Sequence, residues 1–159
     1  MLKSLLAGMG LAVMLPAVAL ADCAEVSQGQ LLISAAWSRA TIGTARPAVF
    51  YVTIRNNGST DDRLTGIETP VAGMPMLHET VMTDGVASMP HASDISIPAG
   101  QTVSLAPGGY HGMLMDLEEE LKDGESFPVT LKFENAGPVS VETAVLPLRA
   151  REAACGDAP

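Results

Sequence analysis

Cysteine is nearly absent from this chain, with two in 159 residues, Cys23 and Cys155, both near its ends. Basic residues are scarce as well: 9 Lys and Arg stand against 18 Asp and Glu, a net charge of −9. No basic patch exists to neutralise phosphates, so nucleic-acid binding is excluded. The acidity suits a soluble exported protein that meets a basic surface or attracts cations. No nucleophile elbow, H-E-x-x-H or paired-carboxylate motif occurs, so nothing marks the chain as an enzyme. Long amphipathic helices, internal repeats and low-complexity tracts are missing too.

The one apolar stretch of note is N-terminal. Lys3, the run Leu11 to Leu15 and the small-x-small sequence Ala19-Leu20-Ala21 read as a secretory signal cleaved after Ala21. Asp22 precedes Cys23 where a lipidation signal takes Gly or Ala, which argues against a lipoprotein. The expected organisation is a signal peptide over 1–21, one domain over 22–149 and a polar tail over 150–159 in a periplasmic protein. An even cysteine count in an exported chain points to a Cys23–Cys155 disulfide, with two unpaired or intermolecular thiols as the alternative.

Short apolar runs alternate with turn residues throughout. Expected strands are Leu31 to Trp37, Ala48 to Arg55, Arg63 to Glu68, Met76 to Met82 and Val86 to Met89, the last two joined by an Asp84-Gly85 hairpin turn. Ile95 to Ile97, Thr102 to Leu105, Tyr110 to Leu117, Phe127 to Glu134 and Val139 to Leu146 follow. Only Asp116 to Lys122 offers a brief helical turn. Many short strands at such spacing imply an all-β sandwich or small Greek-key barrel.

Histidine and methionine are confined to one region. His78, His91 and His111 are the only histidines, and beyond the N-terminal segment Met74, Met76, Met82, Met89, Met113 and Met115 are the only methionines. Thioether sulfur is a soft neutral ligand and imidazole a borderline one, a pairing that favours Cu(I) over zinc, magnesium or calcium. On a strand from Tyr110 to Leu117, His111, Met113 and Met115 share a face, and Met76 and His78 stand in the same relation on another strand. Two such segments side by side would present a soft pocket. Met89, just past the hairpin, can fold back beside His78.

The spacing of His78, Met89, His111 and Met113 is H-x10-M-x21-H-x-M. Around it stand Ala36-Trp37-Ser38-Arg39-Ala40, Leu77-His78-Glu79, Ile97-Pro98-Ala99-Gly100 and the run from Pro107 to Met115. Over about Ile33 to Leu146 the chain resembles the periplasmic copper chaperones called PCu(A)C. The resemblance implies a cupredoxin-like β-barrel that binds one Cu(I) through His78, Met89, His111 and Met113. It also implies delivery to the dinuclear copper centre on the copper-bearing subunit of cytochrome oxidase, alongside a Sco-type thiol protein. Such a chaperone is a carrier, expected here as a monomer. Some relatives carry a His- and Met-rich tail; this chain's tail has neither residue, so no tail site is expected.

His91 is read as a surface histidine, with a secondary or transfer ligand as the alternative. Met76, Met82 and Met115 are read as apolar packing or a sulfur-rich rim, and Trp37 as core. Asp61-Asp62 and Glu118-Glu119-Glu120 are read as solvated faces, since neither has the alternating oxygen ligands of a calcium loop. A blue-copper electron carrier needs a cysteine beside its histidines and finds none. A copper-buffering protein and a metal-free secreted β-sandwich remain as alternatives.

Overall fold

The computed structural model describes residues 24–153 and 155. The expected signal peptide and Cys23 lie outside the described residues. Every regular element among those described is a strand: β1 (Val26–Gln28), β2 (Leu31–Arg39), β3 (Ala48–Asn56), β4 (Asp62–Glu68), β5 (Ala72–Glu79) and β6 (Val81–Thr83). They are followed by β7 (Val86–Ser88), β8 (Ile95–Ile97), β9 (Thr102–Leu105), β10 (Tyr110–Leu117), β11 (Ser126–Phe133) and β12 (Gly137–Leu146).

Alternation makes the core. Along β11, Phe127, Val129, Leu131 and Phe133 are buried while Ser126, Pro128 and Lys132 are exposed. These inward residues meet Phe50, Ile54, Leu64 and Leu114 in one apolar interior. The main sheet runs β5-β10-β3-β2-β12-β11-β4-β8, with β1 added to β2 and β9 to β3. All its pairings are antiparallel except β12 with β2. It curls round the interior as a cupredoxin-like barrel. A bulge between Ser34 and Trp37, with Ala35 at φ 51°, breaks the register of β2 with β3. Before the bulge β2 pairs with β1, and after it with β12. One strand thus turns the corner between two parts of the barrel.

Several expectations need correction. No helical turn forms over Asp116 to Lys122: β10 continues to Leu117, and irregular chain follows. Leu121 is drawn into the core, and its backbone exchanges hydrogen bonds with Thr41, so the segment is anchored by a long-range contact and not by helix bonds. Asp62 is not solvated. It is buried, and its carboxylate accepts backbone N–H bonds from Arg63, Asn135 and Ala136, which tie β4 to the β11–β12 turn. The expected strand Met76 to Met82 is broken at Thr80, and β5 begins earlier, at Ala72.

The described part of the tail packs on the barrel. Arg39 Nε donates to the Ala150 carbonyl at 2.7 Å, and Arg151, Glu152 and Ala153 line a cleft with Trp37 and Leu105. Trp37 is buried, as expected, against Tyr51, with ring centroids 4.5 Å apart. Burial pushes the Tyr51 hydroxyl's pKa above its ordinary value, while the nearby Arg39 charge pulls it partly back.

Candidate metal centre

Two neighbouring strands carry most of the histidine and methionine. β5 and β10 pair antiparallel, with His111 opposite His78, Met113 opposite Met76 and Met115 opposite Met74. Direct partners on such a ladder point to one side. The alternate residues, Leu77, Leu114 and Gly112, point into the core, which puts the histidines and methionines on the outer face. Gly112 fits tightly there. A Cβ on it would stand 2.8 Å from Ile67 Cδ1 and 3.0 Å from Phe50 Cβ, so any larger residue has to shift these side chains or lift β10 from the interior.

Met89 reaches this face by a detour. From Thr80 the chain runs out through β6 and β7, which form a separate two-stranded sheet. Asp84 and Gly85 at its tip have φ of 51° and 79°, the double positive φ of a type I′ turn. The chain then returns along the open edge of β5: Glu79 N–H donates to the Pro90 carbonyl, Ala92 N–H to the Leu77 carbonyl, and His91 bridges to His78. β5 ends the sheet, so this return segment covers part of an otherwise bare edge. Met89 is 56% exposed, and its backbone carbonyl lies 3.0 Å from His78 Nδ1.

The hydrogen bonds assign the tautomers. A carbonyl oxygen only accepts, so in the neutral ring the proton of His78 sits on Nδ1, donated to Met89, which leaves Nε2 as the lone-pair nitrogen. That Nε2 is buried and has no hydrogen-bond partner. His111 repeats the pattern, donating from Nδ1 to the Gly109 carbonyl at 3.0 Å, and its residue is only 4% exposed. A buried nitrogen lone pair without a donor is costly unless something fills its place. A metal-ligating histidine has the same design: one ring nitrogen bonds a backbone carbonyl while the other faces the ion. The His78 and His111 ring centroids are 6.0 Å apart and tilted by 35°.

His91 is exposed and stands edge-on to His78 at 6.0 Å. Among the described residues no group of three or more His, Cys, Asp and Glu side chains gathers into a metal cage. The donors on this face are instead two imidazoles ringed by thioethers, a soft set that suits Cu(I). Met113 lies beside His111 on β10, flanked by Met76 of β5 and Val49 of β3. Of the three methionines read as apolar packing or rim, Met76 and Met115 lie half-buried on this face beside Met74, outside the apolar core, and Met82 is exposed on the hairpin, so the rim alternative describes Met76 and Met115. A signal for this was present in the sequence. Met74-x-Met76-x-His78 and His111-x-Met113-x-Met115 are mirror images at period two, the pattern that an antiparallel pair superposes. Cys155 is not a free thiol; its expected partner Cys23 lies outside the described residues.

The cupredoxin-like fold is that of PCuAC domains, and solved structures place the chain among them. The chain is similar to the copper-bound PCuAC domain from PmoF2, with a TM-score of 0.67 and 27% identity over 78% of this chain and 98% of that one. It is likewise similar to CuI-DR1885 from Deinococcus radiodurans, with a TM-score of 0.60 and 31% identity over 82% of this chain and 86% of that one. Residues 31–145 match the family described as "LpqE-like: Putative lipoprotein LpqE-like", and the chain belongs to that family. One relative, "Putative lipoprotein Lxx21020" from Leifsonia xyli subsp. xyli, is 39% identical over 83% of this chain and 79% of its own length.

Proposed function

We propose that this protein is an exported, periplasmic carrier of Cu(I), which it holds through His78, Met89, His111 and Met113 and passes on unchanged. The observation that carries the reading is the buried, partnerless Nε2 of His78, on a ring whose Nδ1 is bonded to the Met89 carbonyl. His111, on the paired strand, likewise bonds a backbone carbonyl through Nδ1. That two similar domains are described with copper, one of them with Cu(I), supports the ion and its oxidation state. The lipoprotein names in the family and the signal-like N-terminus support export.

The ligand set explains how a carrier lets go. All four ligands are neutral, so copper binds without deprotonating a thiol and leaves without reprotonating one. Met89 is exposed and sits on the return segment of a hairpin, so it is the ligand a partner can displace first. His91, on the same segment and edge-on to His78, takes the ion's outer side while Met89 departs. In this reading residues 1–21 are removed, 22–149 form the copper domain, 150–159 form its tail, and the protein acts as a monomer and not as a catalyst. The recipient is the dinuclear copper centre of cytochrome oxidase, reached with a Sco-type thiol protein; the resemblance to PCu(A)C chaperones supports that choice.

The test is anaerobic. The mature protein is titrated with Cu(I) against a chromogenic chelator, then mixed with the copper-free soluble domain of the oxidase subunit. Tight uptake at the four-residue site followed by transfer is the expected result. Tight uptake without transfer would make the protein a buffer, and no uptake would overturn the reading.

A further inference from the structure

The outer face of β5 and β10 does not end at the histidines. Beyond the His78–His111 rung it continues as thioethers, with Met76 opposite Met113 and then Met74 opposite Met115. The residues between them, Pro75, Leu77, Gly112 and Leu114, alternate to the other side of the ladder. Cβ atoms of direct partners lie about 4.5–5.5 Å apart, and same-face rungs are about 7 Å apart along a strand. A methionine's three rotatable bonds let its sulfur reach into the space between four such positions. Met74 is 47% exposed, and Met76, Met113 and Met115 are half-buried. An end strand of a sheet commonly shows charged side chains to water. Here β5 shows Met74 and Met76 instead.

We propose that Met74, Met76, Met113 and Met115 form a second, all-thioether Cu(I) site, which shares Met113 with the histidine site and relays the ion to or from it. This rests on the Cu(I)-carrier reading above. Thioethers alone select a soft monovalent ion and reject zinc, calcium and magnesium. Lacking imidazole, the ladder binds more weakly than the histidine site. That is what an entry or exit station requires, because copper then runs towards the histidines during loading. Transfer is ligand exchange at constant oxidation state: the ion gains sulfur from one rung as it loses sulfur from the other. The acidic chain, at net charge −9, favours the approach of a cation.

The test uses the mature protein carrying 13C-methyl methionine, titrated anaerobically with Cu(I), and with Ag(I) as a redox-inert stand-in. The first equivalent is expected to shift the Met89 and Met113 methyl signals. The second should shift those of Met74, Met76 and Met115, while Met82, out on the hairpin, stays still. A Met74→Leu/Met115→Leu protein, which keeps apolar volume, should retain the first equivalent and bind the second at least about tenfold more weakly. A His78→Ala/His111→Ala protein should lose the tight equivalent and keep the weak one. Saturation at one equivalent with Met74, Met76 and Met115 unmoved would overturn the ladder and leave the histidine site standing. A second equivalent indifferent to the leucine substitutions would overturn it equally. No binding at all would overturn both readings.

Discussion

His78 and His111 face each other as cross-strand partners with rings 6.0 Å apart, and each gives its Nδ1 proton to a backbone carbonyl. The strand pairing fixes where the rings stand, and the carbonyls of Met89 and Gly109 fix which nitrogen is free. Little has to reorganise when an ion arrives, because tautomer and orientation are set by main-chain groups that the fold already holds.

His78→Ala separates binding from folding. It removes one side chain–backbone bond but also a buried nitrogen with no partner, so the copper-free protein should change by under about 1 kcal/mol. The stabilisation that Cu(I) confers should be lost: with free Cu(I) buffered at a thousand times the wild-type Kd, wild type gains about 4 kcal/mol and the variant should gain far less. Chemical denaturation with and without buffered Cu(I) measures both.

Gly112→Ala should couple the core to the site. The added methyl has to displace Ile67 Cδ1 or the Phe50 ring, and overpacking of this kind costs about 1–3 kcal/mol. Relief by lifting β10 would also move His111 and Met113. Lower stability together with weaker Cu(I) binding is expected; wild-type values for both would contradict the packing argument.

Much of this was legible in the sequence, because a strand repeats every two residues and turn residues punctuate it. β8, β9 and β10 occupy the expected residues, and Asp84-Gly85 makes the expected turn. What escaped was non-local. β1 is three residues long and is held by β2. Leu121 is placed by Thr41 and Asp62 by the β11–β12 turn, partners far off in the chain. At the site, period two placed His111 with Met113 and Met115, and Met76 with His78. The register that sets His78 against His111, and the return segment that brings His91 to β5, depend on sheet order, which no local pattern encodes.

Tyr51 should titrate late. Of the chain's two tyrosines, Tyr51 and Tyr110, burial raises the pKa of Tyr51 above the usual 10.0. The unfolded chain then releases this proton first, so stability is fully present below about pH 10 and falls as the pH rises towards the folded value. Tyrosinate absorbance should show Tyr51 ionising at higher pH in the native protein than in denaturant, and Tyr51→Phe should remove that step.

Cys23 cannot be both lipid-modified and bonded to Cys155. The intact mass of the exported protein should be that of a chain starting at Asp22, lighter by two hydrogens, and reduction should restore them. Added mass of an acylglycerol group on Cys23 would show a lipoprotein instead and would leave Cys155 to another partner.

Copper K-edge X-ray absorption of the protein loaded with one equivalent of Cu(I) tests the ligand set most directly. Two imidazole nitrogens and two thioether sulfurs are expected around the ion, with part of the sulfur shell lost in Met113→Leu. A thiolate sulfur, or a shell of nitrogen and oxygen alone, would contradict it.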